Sequence, residues 1–561
     1  MQTAGEHLTR LVRRLMYRVL HAKCFPAVCM TFFLRRALVC PYRDFNYSMR
    51  ISFALVSLAL GGCAVSHYQY DPPTVAVPTA FKNTSTVDSL GRGRPEIPAP
   101  MAATADTAAR QLRQIPSLPV WWALFNDTTL TRLEGQAGSL NFTTRAAVAR
   151  IDQARAQLRI ADAQRSPVVA LTPSAFHSQL SALRPVQSAL ILATAVPQTQ
   201  FYVPLNVNYE VDLWGRLRRG AQAARATEQA SEADEQTVRL SVSGDVGNTY
   251  FSLRGLDAEL LVLDSARQAR RYNVQLTDAR FKAGVDNEIG VRRAQTELAN
   301  VEASAIELRR QRAGLVASLA TLTGRPASSF ILPSLAPDSV SYQSALPLTS
   351  GKGPVTSTVP PLLPPLPNIP ATLPASLLAH RPDLRRQERL LAAADLRADQ
   401  ARLNRLPTLL LNGFIGPQTT RVGDLPKLSD GYTYYVGGGF NIPLFDGGRL
   451  RGAEQLARAQ GRESSAIYQS TALTAYQEVE TALANVRAGQ AQLAAQQRAL
   501  VAARLAGRLT LERYLRGLTD YFAVVDADRQ TLDAARLVVQ TQTTQLRAAV
   551  QLVRALGGGW Q

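Results

Sequence analysis

The feature that most constrains this chain is a duplication. Asp212-Leu-Trp-Gly-Arg-Leu-Arg-Arg-Gly-Ala221 resembles Pro443-Leu-Phe-Asp-Gly-Gly-Arg-Leu-Arg-Gly-Ala453. Phe281-Lys-Ala-Gly284 resembles Tyr514-Leu-Arg-Gly517 at an offset of 233 residues, and Arg165-Ser-Pro167 resembles Arg405-Leu-Pro407 at an offset of 240. The order is kept and the offsets nearly agree, which marks a tandem repeat of one structural unit with a slightly longer hairpin in the first copy. The repeats span 121–332 and 375–561. Between them lies a Pro-rich linker, 333–374, with Pro360-Pro361 and Pro364-Pro365. It cannot form a helix interior and reads as an extended connector. Residues 63–120 are also Pro-rich and read as an arm laid along a surface.

Within each repeat the period of the apolar residues changes twice. Asp127–Arg165 and Pro382–Leu406 carry Ala and Leu at helical spacing, and each ends before a proline, Pro167 or Pro407. Period-two runs follow. Phe201, Val203, Leu205, Val207, Tyr209 and Val211 alternate with polar residues including Asn206, Asn208 and Glu210; Tyr432, Tyr434, Val436, Gly438, Phe440, Ile442 and Leu444 form the second run. Runs of ten or more suit transmembrane β-strands, with one face to lipid and the other to a polar lumen. Their partners are expected at 168–179 and 408–418, across loops 180–199 and 419–431. Helices over 215–280 and 448–513 come next, each about 100 Å long at 1.5 Å per residue. Each turns at a Gly-bearing tip and returns through 288–323 or 520–555. With 46% apolar but only 7% aromatic residues, such helices pack through small side chains, as coiled coils.

Four strands cannot close a barrel, and open edges are not tolerated in lipid. The chain must therefore oligomerise, with edges at 168–179 and 432–444 pairing between protomers. Two copies give eight strands, which side chains fill; a conduit needs at least three.

The N-terminal region describes export. Residues 49–62 have a positive charge, a short apolar core and small residues before Cys63, the order of a secretory signal. The core Ile51–Leu60 is too short to span a bilayer of roughly 30 Å. Leu60-Gly61-Gly62-Cys63 resembles a bacterial lipobox, which implies cleavage before Cys63 and its modification by diacylglycerol and an N-acyl chain. Residues 1–48 are Arg-rich and read as a surplus extension. The four cysteines are Cys24, Cys29, Cys40 and Cys63, and the five histidines show no ligand spacing, so neither a disulfide framework in the repeats nor zinc chemistry is expected. The formal charge is +19, but it lacks the aromatic interleaving or binding module of a nucleic-acid protein. An enzymatic reading has little support. Glu478 and Glu480 lie on a helix without His or Lys partners, and Pro382 with Asp383 reads as a helix start.

Taken in order, several motifs make the chain resemble the TolC-type outer membrane efflux channels, in their OprM/NodT-like lipoprotein branch. They are Trp121-Trp122 with Phe125 and Asp127, Tyr209-Glu-Val-Asp-Leu-Trp-Gly215, Leu319-Ala-Thr-Leu-Thr-Gly324, Arg381-Pro-Asp-Leu384, Ile442-Pro-Leu-Phe-Asp-Gly-Gly448, Tyr514 to Asp526, and Ala555-Leu-Gly-Gly-Gly-Trp560. The resemblance covers about 115–560. It implies an α+β membrane protein: a trimeric 12-stranded transmembrane β-barrel, four strands per chain, continued by a long α-helical coiled-coil barrel. It further implies an outer membrane channel of a tripartite efflux system, a passive conduit for small molecules, lipid-anchored at Cys63. Its partners would be a periplasmic membrane-fusion adaptor and an inner-membrane pump of the RND or MFS type. A structural envelope-spanning lipoprotein without conductance and a type I secretion exit duct are the alternatives.

The tips carry the expected site. Phe522 and Asp526 are four residues apart and share a helical face, so three copies would set an apolar ring beside a carboxylate ring, able to close a pore and favour cations. With Tyr514 they match the family's periplasmic gate. Gly284, Arg292, Arg293, Gly517 and Leu518 are the expected adaptor contacts. Gly290 stands where the family often has an acidic residue.

Overall fold

The computed structural model describes residues 121–179, 197–335, 363–367, 369, 381–426 and 431–558. The expected signal, Cys63, the arm before residue 121 and most of the 333–374 linker lie outside these residues. The chain divides into Met1–Gln69 and Tyr70–Gln561, and every described residue belongs to the second unit.

A 3-10 turn, Trp121–Phe125, leads into α1 (Thr128–Leu140) and α2 (Phe142–Ala163). The sequence predicts one helix here; the structure has two. Asn141 makes the break, because its extended backbone ends α1 while its side-chain oxygen accepts from the N–H groups of Thr143 and Thr144 to cap α2. Its Nδ2 donates to Leu322 O at 2.8 Å, which ties the joint to the far end of the repeat.

The strands follow: β1 (Val168–Leu171), β2 (Ser174–Gln179), β3 (Pro197–Tyr202) and β4 (Leu205–Val211) in the first repeat, β5 (Thr408–Thr419) and β6 (Tyr432–Asn441) in the second. The two first-repeat strands, expected to be continuous, are each interrupted at a proline, Pro173 or Pro204, which has no N–H for the ladder. The second-repeat strand stops at Asn441 rather than at 444, just before Pro443. β3 starts at Pro197, inside the expected loop. Together the segments form an antiparallel meander: β1 pairs β4, β2 pairs β3, both β3 and β4 pair β5, and β5 pairs β6. Among the described residues, β1–β2 and β6 are thus the two edges. The registers align Leu171, Leu205, Ile415 and Tyr434 in one row and Val169, Val207, Gly413 and Val436 in the next. Their side chains are exposed, which leaves one apolar face running across β1, β4, β5 and β6.

Each repeat then makes the same device to launch a long helix. Asp212 accepts from the N–H groups of Leu217 and Arg218 at 3.1 and 2.8 Å, and Asp446 accepts from Gly448 and Leu450 at 2.9 and 2.8 Å. A carboxylate at the helix N-terminus satisfies orphan donors and meets the positive end of the dipole. Gly215 and Gly448 carry φ of 81° and 87° at the corner, a left-handed conformation costly for other residues. From these corners run α3 (Arg216–Lys282) and, after α5 (Pro382–Leu403), α6 (Arg449–Leu515); α4 (Glu288–Leu322) and α7 (Tyr521–Ala555) return. The bounds follow the sequence expectation within two or three residues. Among the described residues no helix is long and apolar enough to cross a membrane.

The repeats are joined by packing. α3 lies against α2, α4, α5 and α7, and α6 lies against α5 and α7. Trp214 Nε1 donates to Pro407 O of the other repeat at 2.6 Å. In the main core, Trp121, Phe125, Leu130 and Leu133 pack on Val246, Tyr250, Phe251, Leu319 and Val550. α3 and α7 approach so closely at Gly255 that an added Cβ would run into Thr543. Beside this core Asp257, its side chain wholly buried, accepts from Arg254 at 3.2 Å and Arg312 at 2.6 Å. The same guanidiniums donate to Pro333 O and Leu332 O, so one carboxylate also fixes the start of the linker.

Candidate functional site at the helix tips

Both tips are closed by one motif. The N–H of Gly284 donates to Phe281 O and that of Val285 to Arg280 O; Gly517 donates to Tyr514 O and Leu518 to Arg513 O. This paired closure needs a left-handed residue at the turn, and both glycines have φ of 72°. Asn287 and Asp520 then cap the returning helices through Gly290 N–H and Ala523 N–H.

Between the tips, in one chain, runs a polar bridge. Tyr514, 2% exposed, donates its hydroxyl to Asp286 Oδ2 at 2.6 Å. Arg280 donates to the same oxygen at 3.1 Å and lays its guanidinium over the Tyr514 ring, 4.7 Å from the centroid. Burial works to raise the Asp286 pKa, but the hydrogen bonds from Tyr514 and Arg280, with the Arg280 charge, hold the carboxyl below its usual value. Burial, followed by Asp286, pushes the Tyr514 hydroxyl well above the usual phenol range. Tyr514 and Tyr521 stack obliquely, with ring centroids 5.5 Å apart, beside Val524, Val525 and Ala294. Burial pushes Tyr521 up to about 12.

One turn further in is a second buried polar cluster. Asp528 accepts from Arg270 at 3.2 Å and from Asn273 at 3.0 Å. Glu297 lies 4.0 Å from Arg270 and pairs with Arg529. Burial raises the pKa of Asp528 against the lowering effect of Arg270 and Asn273. Helices α3, α4 and α7 are thus joined through charges inside an apolar seam.

The residues singled out in the sequence divide by face. Phe522 and Asp526 share the exposed face of α7. Arg293 of the first tip places its guanidinium 5.2 Å from the Phe522 ring centroid, and Gln530 donates to Asp526 at 2.8 Å. Tyr514 lies on the opposite, packed side, away from Phe522 and Asp526. Arg292 is exposed and pairs with Glu288 at 2.8 Å; Leu518 is exposed at the second turn. Cys63 lies outside the described residues. Sequence reasoning missed Asp286, Arg280, Arg270, Glu297 and Asp528. A signal existed: Asp528 falls four residues after Val524 and three after Val525, a stripe position where an apolar residue is expected.

The model of the outer membrane efflux protein family matches residues 134–325 and 373–558. The pyoverdine export outer membrane protein OpmQ of Pseudomonas putida is 29% identical over 465 residues, 82% of this chain and 93% of that protein. The toluene efflux pump outer membrane protein TtgI, also of Pseudomonas putida, is 29% identical over 446 residues, 79% of this chain and 88% of that protein. Among solved structures, the outer-membrane channel OprN superposes with a TM-score of 0.71 at 27% identity, over 89% of this chain and 100% of that one. The Campylobacter jejuni CmeC outer membrane channel gives 0.72 at 21% identity, over 89% and 96%, a likeness of fold.

Proposed function

We propose, because this chain belongs to the outer membrane efflux protein family, that three copies assemble into one exit duct for small molecules. As an outer membrane efflux channel it is a passive conduit. In the assembly, β6 of one protomer pairs with β1–β2 of the next and twelve strands close a barrel. The exposed apolar rows of Leu171, Leu205, Ile415 and Tyr434 then face lipid, and Asn206, Asn208, Glu210 and Asn412 face the lumen. Acyl chains on Cys63 add a second anchor. A periplasmic adaptor seats on the tips around Gly284, Arg292, Arg293, Gly517 and Leu518. An RND or MFS type inner-membrane pump supplies cargo and energy, so relatives named for pyoverdine or toluene can share one duct.

The observation that carries this reading is the antiparallel meander, whose six segments follow four strand paths and whose two edges have no partner strand among the described residues, mounted on helices about 100 Å long. At the far end, Phe522 and Asp526 form the constriction, and the Tyr514–Asp286–Arg280 bridge holds each protomer's tips together. Single-channel recording of the purified protein in planar bilayers is the test. Discrete cation-preferring conductance is expected. An assembled protein that inserts and stays silent at all voltages would make it a spacer.

A further inference from the structure

A cavity of about 320 Å³ lies well away from the tips, where the first 3-10 turn, α1 and α2 meet α3, next to Gly558. It sits about 35 Å along α3 from the strands. Trp121, Trp122 and Leu240 supply apolar wall, while Glu134, Thr144 and Ser243 supply polar groups. Glu134 is only 3% exposed, and its Oε1 has no hydrogen-bond partner; Thr144 Oγ1, equally buried, has none either. Ser243 offers nothing more, since its hydroxyl already serves Trp121 Nε1 at 2.8 Å and Glu134. Two buried oxygens without a partner at one cavity are costly unless a hydrogen-bonding group arrives.

The chemistry of that donor follows from the walls. Arg239 on α3 is the one other charged residue at the lining among the described residues, and it is paired with Glu235. The 3-10 turn, α2 and the Gly558 turn contribute indoles, a hydroxyl and backbone, without charge. An anion would be buried beside a carboxyl, with its one nearby cation, Arg239, already paired with Glu235. A metal ion would find a single carboxylate, and no cluster of metal ligands exists among the described residues. Indole faces attract cations.

We propose that this cavity is a binding site for a small organic ammonium ion, whose N–H groups donate to Glu134 Oε1 and Thr144 Oγ1 while its apolar body lies against Trp121 and Trp122. The site goes beyond the duct and does not rest on it. Burial, opposed by the Ser243 hydrogen bond, pushes the empty-site Glu134 carboxyl up to about 8, so at neutral pH it holds its proton. Binding is then an exchange: the ammonium enters with its charge, the carboxylic acid O–H breaks, and the proton leaves to water. Affinity should rise about tenfold from pH 6 to pH 7 and level off above pH 8, where no proton remains to be displaced.

The full-length protein in detergent, titrated calorimetrically with phenethylammonium chloride at pH 6, 7 and 8 in two buffers of unlike ionisation heat, tests this. One saturable site per chain is expected, releasing close to one proton at pH 7. Glu134→Gln keeps the shape but cannot ionise, and should bind at least tenfold more weakly with no proton release. Thr144→Val should bind several-fold more weakly with release intact, and stands in should the Gln variant fail to fold. Absence of saturable heat in the parent, unchanged affinity in both variants, equal binding of uncharged 2-phenylethanol, or binding without proton release would each overturn the site.

Discussion

Tyr514 could be a phenylalanine and fill the same space; what its hydroxyl adds is the bond to Asp286 across the two tips. Tyr514→Phe should cost about 1.5–3 kcal/mol, the range for a hydrogen bond to a charged group, read by thermal or denaturant melts. Asp286 has a lowered pKa in the fold, so its contribution is present above the ordinary Asp range and lost as pH falls through the folded value. The gap between parent and variant should therefore be flat from about pH 5 to 7 and close under strong acid. Phe522 and Asp526 act differently because they are exposed. Phe522→Ala should raise conductance with little change in selectivity, and Asp526→Asn should reduce cation preference with little change in conductance. Two unchanged recordings would move the constriction elsewhere. Glu134 shows the opposite titration from Asp286. Its folded carboxyl keeps a proton to about pH 8 while the unfolded chain releases it near 4.5. Rising pH through that window favours unfolding, by on the order of 4 kcal/mol. The melting temperature of Glu134→Gln should consequently fall less between pH 5 and pH 8 than that of the parent.

At the scale of elements, close helix approach is the property most open to test. Gly255 sits inside α3, where alanine would gain roughly 1 kcal/mol of helix propensity. Its added Cβ meets Thr543 of α7, and overpacking costs about 1–3 kcal/mol. Gly255→Ala should be neutral to destabilising, whereas Gly314→Ala, on α4 with nothing within 4 Å, should stabilise by about 0.5–1 kcal/mol. Paired melts decide it. The same elements show what could be read from sequence. The long helices were legible because no proline interrupts either 67-residue span and a glycine follows each one. The strand interruptions were not, since apolar alternation reads straight through Thr172-Pro173 and Val203-Pro204 although the ladder cannot. Asn141 looked like an ordinary polar position on a helix surface, and only the chain's turn toward Leu322 reveals it as a joint. The tip site was half legible. Phe522 and Asp526 were visible by spacing, but Asp286 and Asp528 were hidden, because a carboxylate in a linear pattern reads as solvent-facing until its arginine, far along the chain, is known.

For the molecule as a whole, the kinked first-repeat hairpin has a consequence for how the duct is put together. Above Pro173 and Pro204, β2 and β3 are held to the rest of the described residues by two register pairs, Phe201 with Thr419 and Tyr202 with Gln418, and by a Gln418–Gln200 side-chain bond, whereas β4 and β5 share seven register pairs. A lone hairpin is marginal in water, so this upper segment has little to hold its alignment until a neighbour's β6 zips along its open edge. Its amides should accordingly act as a clock for assembly. In pulse-labelled hydrogen exchange during refolding into detergent, Phe176–Ser178 and Gln198–Gln200 should become protected together with the trimer peak in native mass spectrometry, after Asn206–Tyr209 are already slow. Protection of all these amides in a monomer would mean that the hairpin sets on its own and that joining protomers is only docking.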